Sequence, residues 1–210
     1  MGDKPILFSA PMVCALLDGR KTQTRRIFVP PPPFDIGDDI EVQIAAGSFE
    51  PYRFQKGNRL WVRETWRTGK SLDAVSPKKI ATMCQMAGWR RPWCPLLYTA
   101  DGTTDNADTD VLDAFGCDFG RTRVSIHMPR WASRLTLTVT DVRVQRLNQM
   151  TEADAIAEGV ECYEKTDAPL VTFAKLWNAI NKDERHSWQN NPWVCAVTFR
   201  PELNSAKCQG

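Results

Sequence analysis

Apolar and polar positions along the chain fall into short, distinct patterns that predict strands more often than helices. Residues 5–9, Pro-Ile-Leu-Phe-Ser, read as a short buried strand. Ser9 then caps a helix with Pro11 in its first turn, and Val13, Leu16 and Leu17 supply its apolar face. Gly19 is well placed to end that helix in the left-handed conformation. Residues 21–29 follow as a strand, stopped by Pro30 to Pro33, an extended stretch. A weak alternation over residues 40–44 predicts an edge strand, and the Gly57-Asn58 turn leads into a strong strand over residues 59–66. Residues 134–147 alternate cleanly, with a change of parity near Asp141 that suggests a bulge. Thr151-Glu152-Ala153-Asp154 has the form of a capping box, so a helix should run to Glu158 and stop at Gly159. A second amphipathic helix is predicted over residues 173–180, with Phe173, Leu176, Trp177 and Ile180 on one face. Residues 192–199 form a closing strand.

Two stretches break these rhythms, about residues 30–58 and 70–123, and both read as insertions. The second holds Trp89-Arg90-Arg91-Pro92-Trp93, a strand at residues 96–99 and the acidic run from Asp101 to Asp113. Little regular structure is expected in it, and long loops of this kind are usually functional or mobile. Met128 to Trp131 predicts a single helical turn, and the tail from Pro201 (residues 201–210) is expected to be loose. The pieces add up to one α+β domain over residues 1–200, a small mixed β-barrel flanked by helices. A barrel of this size fills its interior with side chains, so a site would lie in a surface cleft.

Composition narrows the chemistry. The 210 residues carry a net charge of +2, so contacts to nucleic acid would have to come from local clustering. Eight Trp and fourteen Pro suggest ordered loops held by aromatic anchors. No apolar run reaches the length of a membrane span and the N-terminus lacks a signal-peptide pattern, which points to the cytoplasm and away from a membrane partner. Seven cysteines without a Cys-x-x-Cys pair, beside His127 and His186 alone, predict reduced thiols and neither a metal site nor a cofactor.

The densest chemistry lies in Gly19-Arg20-Lys21-Thr22-Gln23-Thr24-Arg25-Arg26. Alternation sends Lys21, Gln23 and Arg25 to one face and Thr22, Thr24 and Arg26 to the other, so one face can line a pocket while the other meets solvent. A solvated basic turn and an anion or nucleobase site both fit this run. Lys21 and Thr24 differ by an odd number of residues, so a shared site needs Lys21 in the bend after Gly19 and not in the strand itself. Glu64, in Arg63-Glu64-Thr65-Trp66, is either a pocket residue or the partner of Arg63 or Arg67. Trp61, Trp66 and Trp131 either stack a base or anchor the core.

With these residues in place the chain resembles the ASCH family of the PUA-like superfamily. Gly19, Lys21 and Arg26 match that family's Gly-x-Lys-x-x-x-x-Arg signature after the first helix, while Thr24 stands where Glu is frequent. Gly19, Arg20, Lys21, Thr22, Thr24 and Arg26 are similar to the motif of the ASCH enzymes that hydrolyse N(4)-acetylcytidine. That resemblance implies removal of the acyl group from N(4)-acylated cytosine nucleosides or related modified nucleobases. Lys21 would be the base, Thr24 the nucleophile or water-positioning hydroxyl, and Glu158 the proton shuttle, with Glu152 as the alternative register. Arg20, Arg26, Glu64 and Trp61 would bind the substrate, with Arg26 or a backbone N–H near Gly19 facing the oxyanion. The overall length is similar to larger phage-encoded ASCH proteins. The same family also implies the rival reading, an RNA- or single-stranded-DNA-binding module or ribonuclease that uses the basic cleft around Lys21 and Arg26. A phage interaction protein with an inactive pocket is the third.

Overall fold

The structure, a computed structural model, describes residues 3–28, 54–88, 92–106, 118–161 and 168–204. The proline run, the edge strand at 40–44, Trp89 to Arg91 and most of the acidic run lie outside the described residues. Eight strands are described: β1 (Lys4–Leu7), β2 (Gln23–Ile27), β3 (Arg59–Arg63), β4 (Trp66–Thr68), β5 (Leu96–Tyr98), β6 (Thr104–Asp105), β7 (Leu135–Arg146) and β8 (Trp193–Leu203). Four helices accompany them: α1 (Ala10–Leu17), α2 (Pro77–Met86), α3 (Glu152–Ala157) and α4 (Pro169–Ile180). The class is α+β, with a five-stranded sheet of order β1-β3-β7-β8-β2 and a three-stranded sheet of order β4-β5-β6. The larger sheet mixes parallel and antiparallel pairs.

The chain divides into two compact units, each assembled from separated stretches. The first comprises Met1–Cys14, Arg59–Leu137 and Glu202–Gly210. In it β1 runs parallel to β3, from Lys4 opposite Leu60 to Leu7 opposite Arg63. The strand expected over 59–66 is two strands. After Arg63 the chain leaves β1, and Trp66 to Thr68 pair instead with Tyr98 to Leu96.

The stretch 70–123 corrects the expectation of little regular structure. Ser76 accepts from the Lys79 N–H and Pro77 opens α2, a start signal that the broken periodicity of Lys78-Lys79-Ile80-Ala81-Thr82 obscured. Only Ile80 and Cys84, one turn apart, are buried on that helix. They join Trp66, Leu72, Cys94, Leu96, Tyr98, Met128 and Ala132 in a hydrophobic core of the unit's own. The tail is also more ordered than expected. β8 continues to Leu203, the Asn204 N–H donates to the Arg134 carbonyl, and the Asn204 side chain donates to the Ser133 carbonyl.

The second unit comprises Ala15–Asn58 and Thr138–Pro201. Here β2 and β8 are antiparallel, with Gln23 opposite Thr198 and Ile27 opposite Val194. Thr151 and Asp154 close the expected capping box at the start of α3, and Gly159 ends it at φ +82°. α4 begins at Pro169, earlier than the apolar pattern suggested. Of its four predicted core residues only Phe173 and Trp177 are buried, while Leu176 and Ile180 are exposed. Those two buried rings pack with Leu147, Met150, Ala155 and Val194.

Candidate functional site

Lys21 lies in the bend between α1 and β2, where the spacing argument required it. Gly19 takes φ +71°, which a glycine adopts without strain. The Lys21 N–H then donates to the Ala15 carbonyl and the Thr22 N–H to the Ala157 carbonyl, tying the bend to the ends of α1 and α3. A Cβ on Gly159 would come within 2.9 Å of the Ala15 Cβ and 3.0 Å of the Lys21 Cβ. The left-handed residue that ends α3 therefore also leaves the room that Lys21 occupies.

The Lys21 side chain is fully buried, and its ammonium donates to two atoms of one residue. Nζ is 2.7 Å from Glu158 Oε2 and 2.7 Å from the Glu158 carbonyl oxygen. Burial holds the Lys21 amine below the usual lysine range; Glu158 opposes that shift, while Arg26 and Arg25 reinforce it. The other carboxylate oxygen of Glu158 accepts from Arg25 Nη1 at 3.2 Å. Arg25 Nη1 also donates to Gln23 Oε1 at 2.6 Å, and Gln23 Nε2 donates to the Thr198 hydroxyl at 3.2 Å. Arg25 Nη2 lies 3.3 Å from Asp154 Oδ2, close enough for an ion pair but outside hydrogen-bond alignment. The face predicted from alternation, Lys21, Gln23 and Arg25, is thus one connected cluster with Glu158 at its centre.

The other face differs from expectation. Thr24 is buried in β2 opposite Val197, so that face does not simply meet solvent. The Lys21 amine is hydrogen-bonded to Glu158. Glu158 and not Glu152 is the partner of Lys21; Glu152 is exposed. Arg20 is engaged at the surface, 2.8 Å from both Asp18 and Glu161. Arg26 is half-buried, with Nη1 3.4 Å from the Arg25 carbonyl. Alternation had placed Arg25 on the face of Lys21, and the structure shows it bonded to Glu158.

Glu64 and Trp61 belong to the first unit. Glu64 is held by neither Arg63 nor Arg67. Arg134 grips it with two parallel bonds, Nε to Oε1 at 2.9 Å and Nη2 to Oε2 at 2.8 Å. The same guanidinium donates to Asp101 Oδ2 at 2.9 Å and to the Thr103 hydroxyl, and lies 4.2 Å over the Tyr98 ring. Burial holds the Glu64 carboxyl above the usual range despite Arg134. Trp61 is buried beneath the Arg63 guanidinium at 4.6 Å. Trp66 is wholly buried and meets Trp131 edge to face at 6.0 Å, so it anchors the core. Among the described residues no cluster of three or more His, Cys, Asp or Glu is arranged to hold a metal ion. No helix there is long and apolar enough to cross a membrane.

No family model matches the chain, and no curated protein matches it. Among solved structures, the crystal structure of protein EF3133 from Enterococcus faecalis V583, described by the family model DUF984, is similar at a TM-score of 0.43 and 9% identity, over 100% of this chain and 87% of that one. A likeness at that level carries no weight in reading the site.

Proposed function

We propose that the chain is an amidohydrolase of the ASCH type that removes the acyl group from N(4)-acylated cytosine nucleosides or related modified nucleobases. The observation that carries this reading is the Lys21–Glu158 pair. It joins a buried amine of lowered proton affinity to a carboxylate at 2.7 Å, in a site with a second cation at Arg25. An amine tuned toward neutrality can accept a proton, and a carboxylate bonded to it can pass one on. Glu158, slightly more open than Lys21, is the member that meets the attacking water. Water adds to the acyl carbon, its proton enters the Glu158–Lys21 pair, and the tetrahedral oxyanion collapses as the C–N bond breaks. The same proton then goes to the departing exocyclic nitrogen, which leaves as the amine. In this reading Thr24 shapes β2 beside the site and water is the nucleophile. Hydrolysis is favoured over phosphate contacts because three of the motif's four cations, Arg20, Lys21 and Arg25, face the chain's own carboxylates. Lys21 and Arg25 are buried on Glu158, and Arg20 meets Asp18 and Glu161.

The test is the ultraviolet absorbance change of N(4)-acetylcytidine with wild type, Lys21→Met and Glu158→Gln in parallel. Wild type is expected to turn over, and each variant to lose about 10²-fold or more in kcat, the usual weight of a positioned acid–base group. Folded wild type that leaves acetylated, propionylated and benzoylated cytidine intact sinks the reading. Salt-dependent binding of RNA or single-stranded DNA would then be measured in its place.

A further inference from the structure

The cluster contains a residue to which the amidohydrolase reading gives no task. Arg25 is buried, and its side chain is held within a ring of polar groups contributed by β2, β8 and α3. Its Nη1 donates to Glu158 Oε1 and Gln23 Oε1, Gln23 is in turn tied to Thr198, and its Nη2 faces Asp154. Glu158 thus meets a different cation on each oxygen, Lys21 on Oε2 and Arg25 on Oε1. Two fixed donors on the two oxygens of a carboxylate set both its position and the plane of its group. Glu158 is the residue at the C-terminal end of α3, where the side chain has only its own torsions to hold it otherwise. We propose that Arg25 is the positioning residue of this site, locking the Glu158 carboxylate against the Lys21 amine and holding α3 to β2 through Asp154.

The observations separate this role from the roles expected of Arg26 and Thr24. Arg26 bonds the Arg25 carbonyl and Thr24 is buried opposite Val197, whereas Arg25 reaches the reacting carboxylate itself. Its Nε makes no hydrogen bond among the described residues. Nη2 likewise makes no hydrogen bond and only faces Asp154, and a buried guanidinium with two nitrogens unmet is held at a cost that packing alone does not offset. Charged groups acting on Lys21 include Glu158 from the end of α3 and Arg25 and Arg26 from β2, while Asp154 faces Arg25 directly and Arg143 acts through Asp154. Loss of the Arg25 charge removes one of the two cations that disfavour the Lys21 ammonium, so Lys21 should titrate at higher pH.

This inference rests on the amidohydrolase reading for its kinetic arm only. The full chain is labelled with 13C at lysine Cε, the Lys21 signal is assigned by its absence in Lys21→Met, and its titration is followed in wild type, Arg25→Met, Arg25→Lys and Gln23→Leu. Arg25→Met is expected to move the Lys21 titration to higher pH, and Arg25→Lys to restore it. In kinetics, Arg25→Met should lower kcat/KM of N(4)-acetylcytidine by about 10²-fold, the cost of a misplaced catalytic group, and shift the acidic limb of the profile upward. Gln23→Leu keeps the cation but loosens it, so kcat should fall with KM and the limb unchanged. It is also the variant to use if Arg25→Met does not fold. An unmoved Lys21 titration in Arg25→Met, or in its absence a Gln23→Leu protein with wild-type kcat, overturns the proposal. If wild type has no hydrolase activity but the titration moves as described, the amidohydrolase reading fails and the link from Arg25 to Lys21 stands.

Discussion

Replacing Arg134 by Met separates the two roles open to Glu64. Among the described residues Arg134 is the one guanidinium bonded to the Glu64 carboxylate, through a two-point contact at 2.8 and 2.9 Å, and the Glu64 side chain is nearly inaccessible. Met keeps the length of the Arg stem and its packing on Tyr98 but leaves a buried carboxylate without its cation. Removing one partner of a buried pair costs about 3–5 kcal/mol. The second carboxylate, Asp101, is more open to water and adds less. Glu64→Gln should cost less, about 2 kcal/mol, since the neutral amide still accepts from Arg134. The double variant should be more stable than Arg134→Met alone, because no stranded charge remains. Burial already raises the Glu64 carboxyl, and loss of Arg134 raises it further. A carboxyl whose folded value lies above its unfolded one binds more protons folded than unfolded, so its ionisation destabilises the fold as pH rises through that window. The deficit of Arg134→Met should therefore shrink between pH 7.5 and pH 5. Urea unfolding followed by tryptophan fluorescence, which includes the buried Trp66, measures each value. A deficit under about 1 kcal/mol, or one that is the same at both pH values, would refute the assignment of Glu64 to a stabilising pair. If Glu64→Gln instead lost activity with stability intact, the residue would return to the pocket.

Gly159→Ala should cost about 2 kcal/mol and lower turnover, because the new Cβ meets Ala15 and Lys21 at 2.9 and 3.0 Å in a left-handed position. Gly102→Ala, at φ +75° with nothing within 4 Å, is the thermal-melt control that carries the conformational strain alone. Although burial alone would raise it, the Thr151 bonds with Arg25 and Arg143 hold the Asp154 carboxyl at about 2 against a usual 3.8. That stabilisation is present above pH 4 and lost as pH falls toward 2, so an Asp154→Asn melt series should show a flatter acid limb than wild type. Deleting the buried charges together, as Lys21→Met with Arg25→Met and Glu158→Leu, strands none of the three, so it should abolish turnover and leave the urea midpoint near that of wild type. A large drop in that midpoint would mark the cluster as structural.

The legible parts of the sequence were those whose signals are local. Ser9, Pro11 and Gly19 bracket α1, Thr151 and Gly159 bracket α3, and each rests on backbone groups within a turn. The bend at Lys21 was required by parity only for a site shared with Thr24; the strand itself was expected from residue 21 and begins at Gln23. What could not be read was pairing between distant stretches. In the stretch 70–123 the strand at 96–99 was read and is β5, but β6 is two residues long, too short for alternation to register, and α2 buries only Ile80 and Cys84. Glu64 was matched to its near neighbours in sequence, but its partner is Arg134, 70 residues on. Arg25 was visible to the alternation argument and passed over because the motif drew attention to Arg26. A physical pattern outweighed a resemblance at that position.

The same pair, a buried lysine on a buried glutamate, would serve a fold without chemistry as well, and the difference lies in what the lysine does when it loses its proton. As a simple ion pair it would then release its partner, and the contact would fail. Here Nζ also donates to the Glu158 carbonyl, at the C-terminal end of α3 where the helix leaves its last carbonyls unmet. A neutral amine retains two N–H donors and can keep that bond. Arg25 continues to hold the carboxylate from the other side, and the Thr22 N–H still ties the bend to Ala157. The proton can therefore move between amine and carboxylate without moving the atoms that hold them. That tolerance is what the proposed proton transfer would need. It joins the bend at Gly19, the end of α3 and the inward face of β2 into one chemical arrangement.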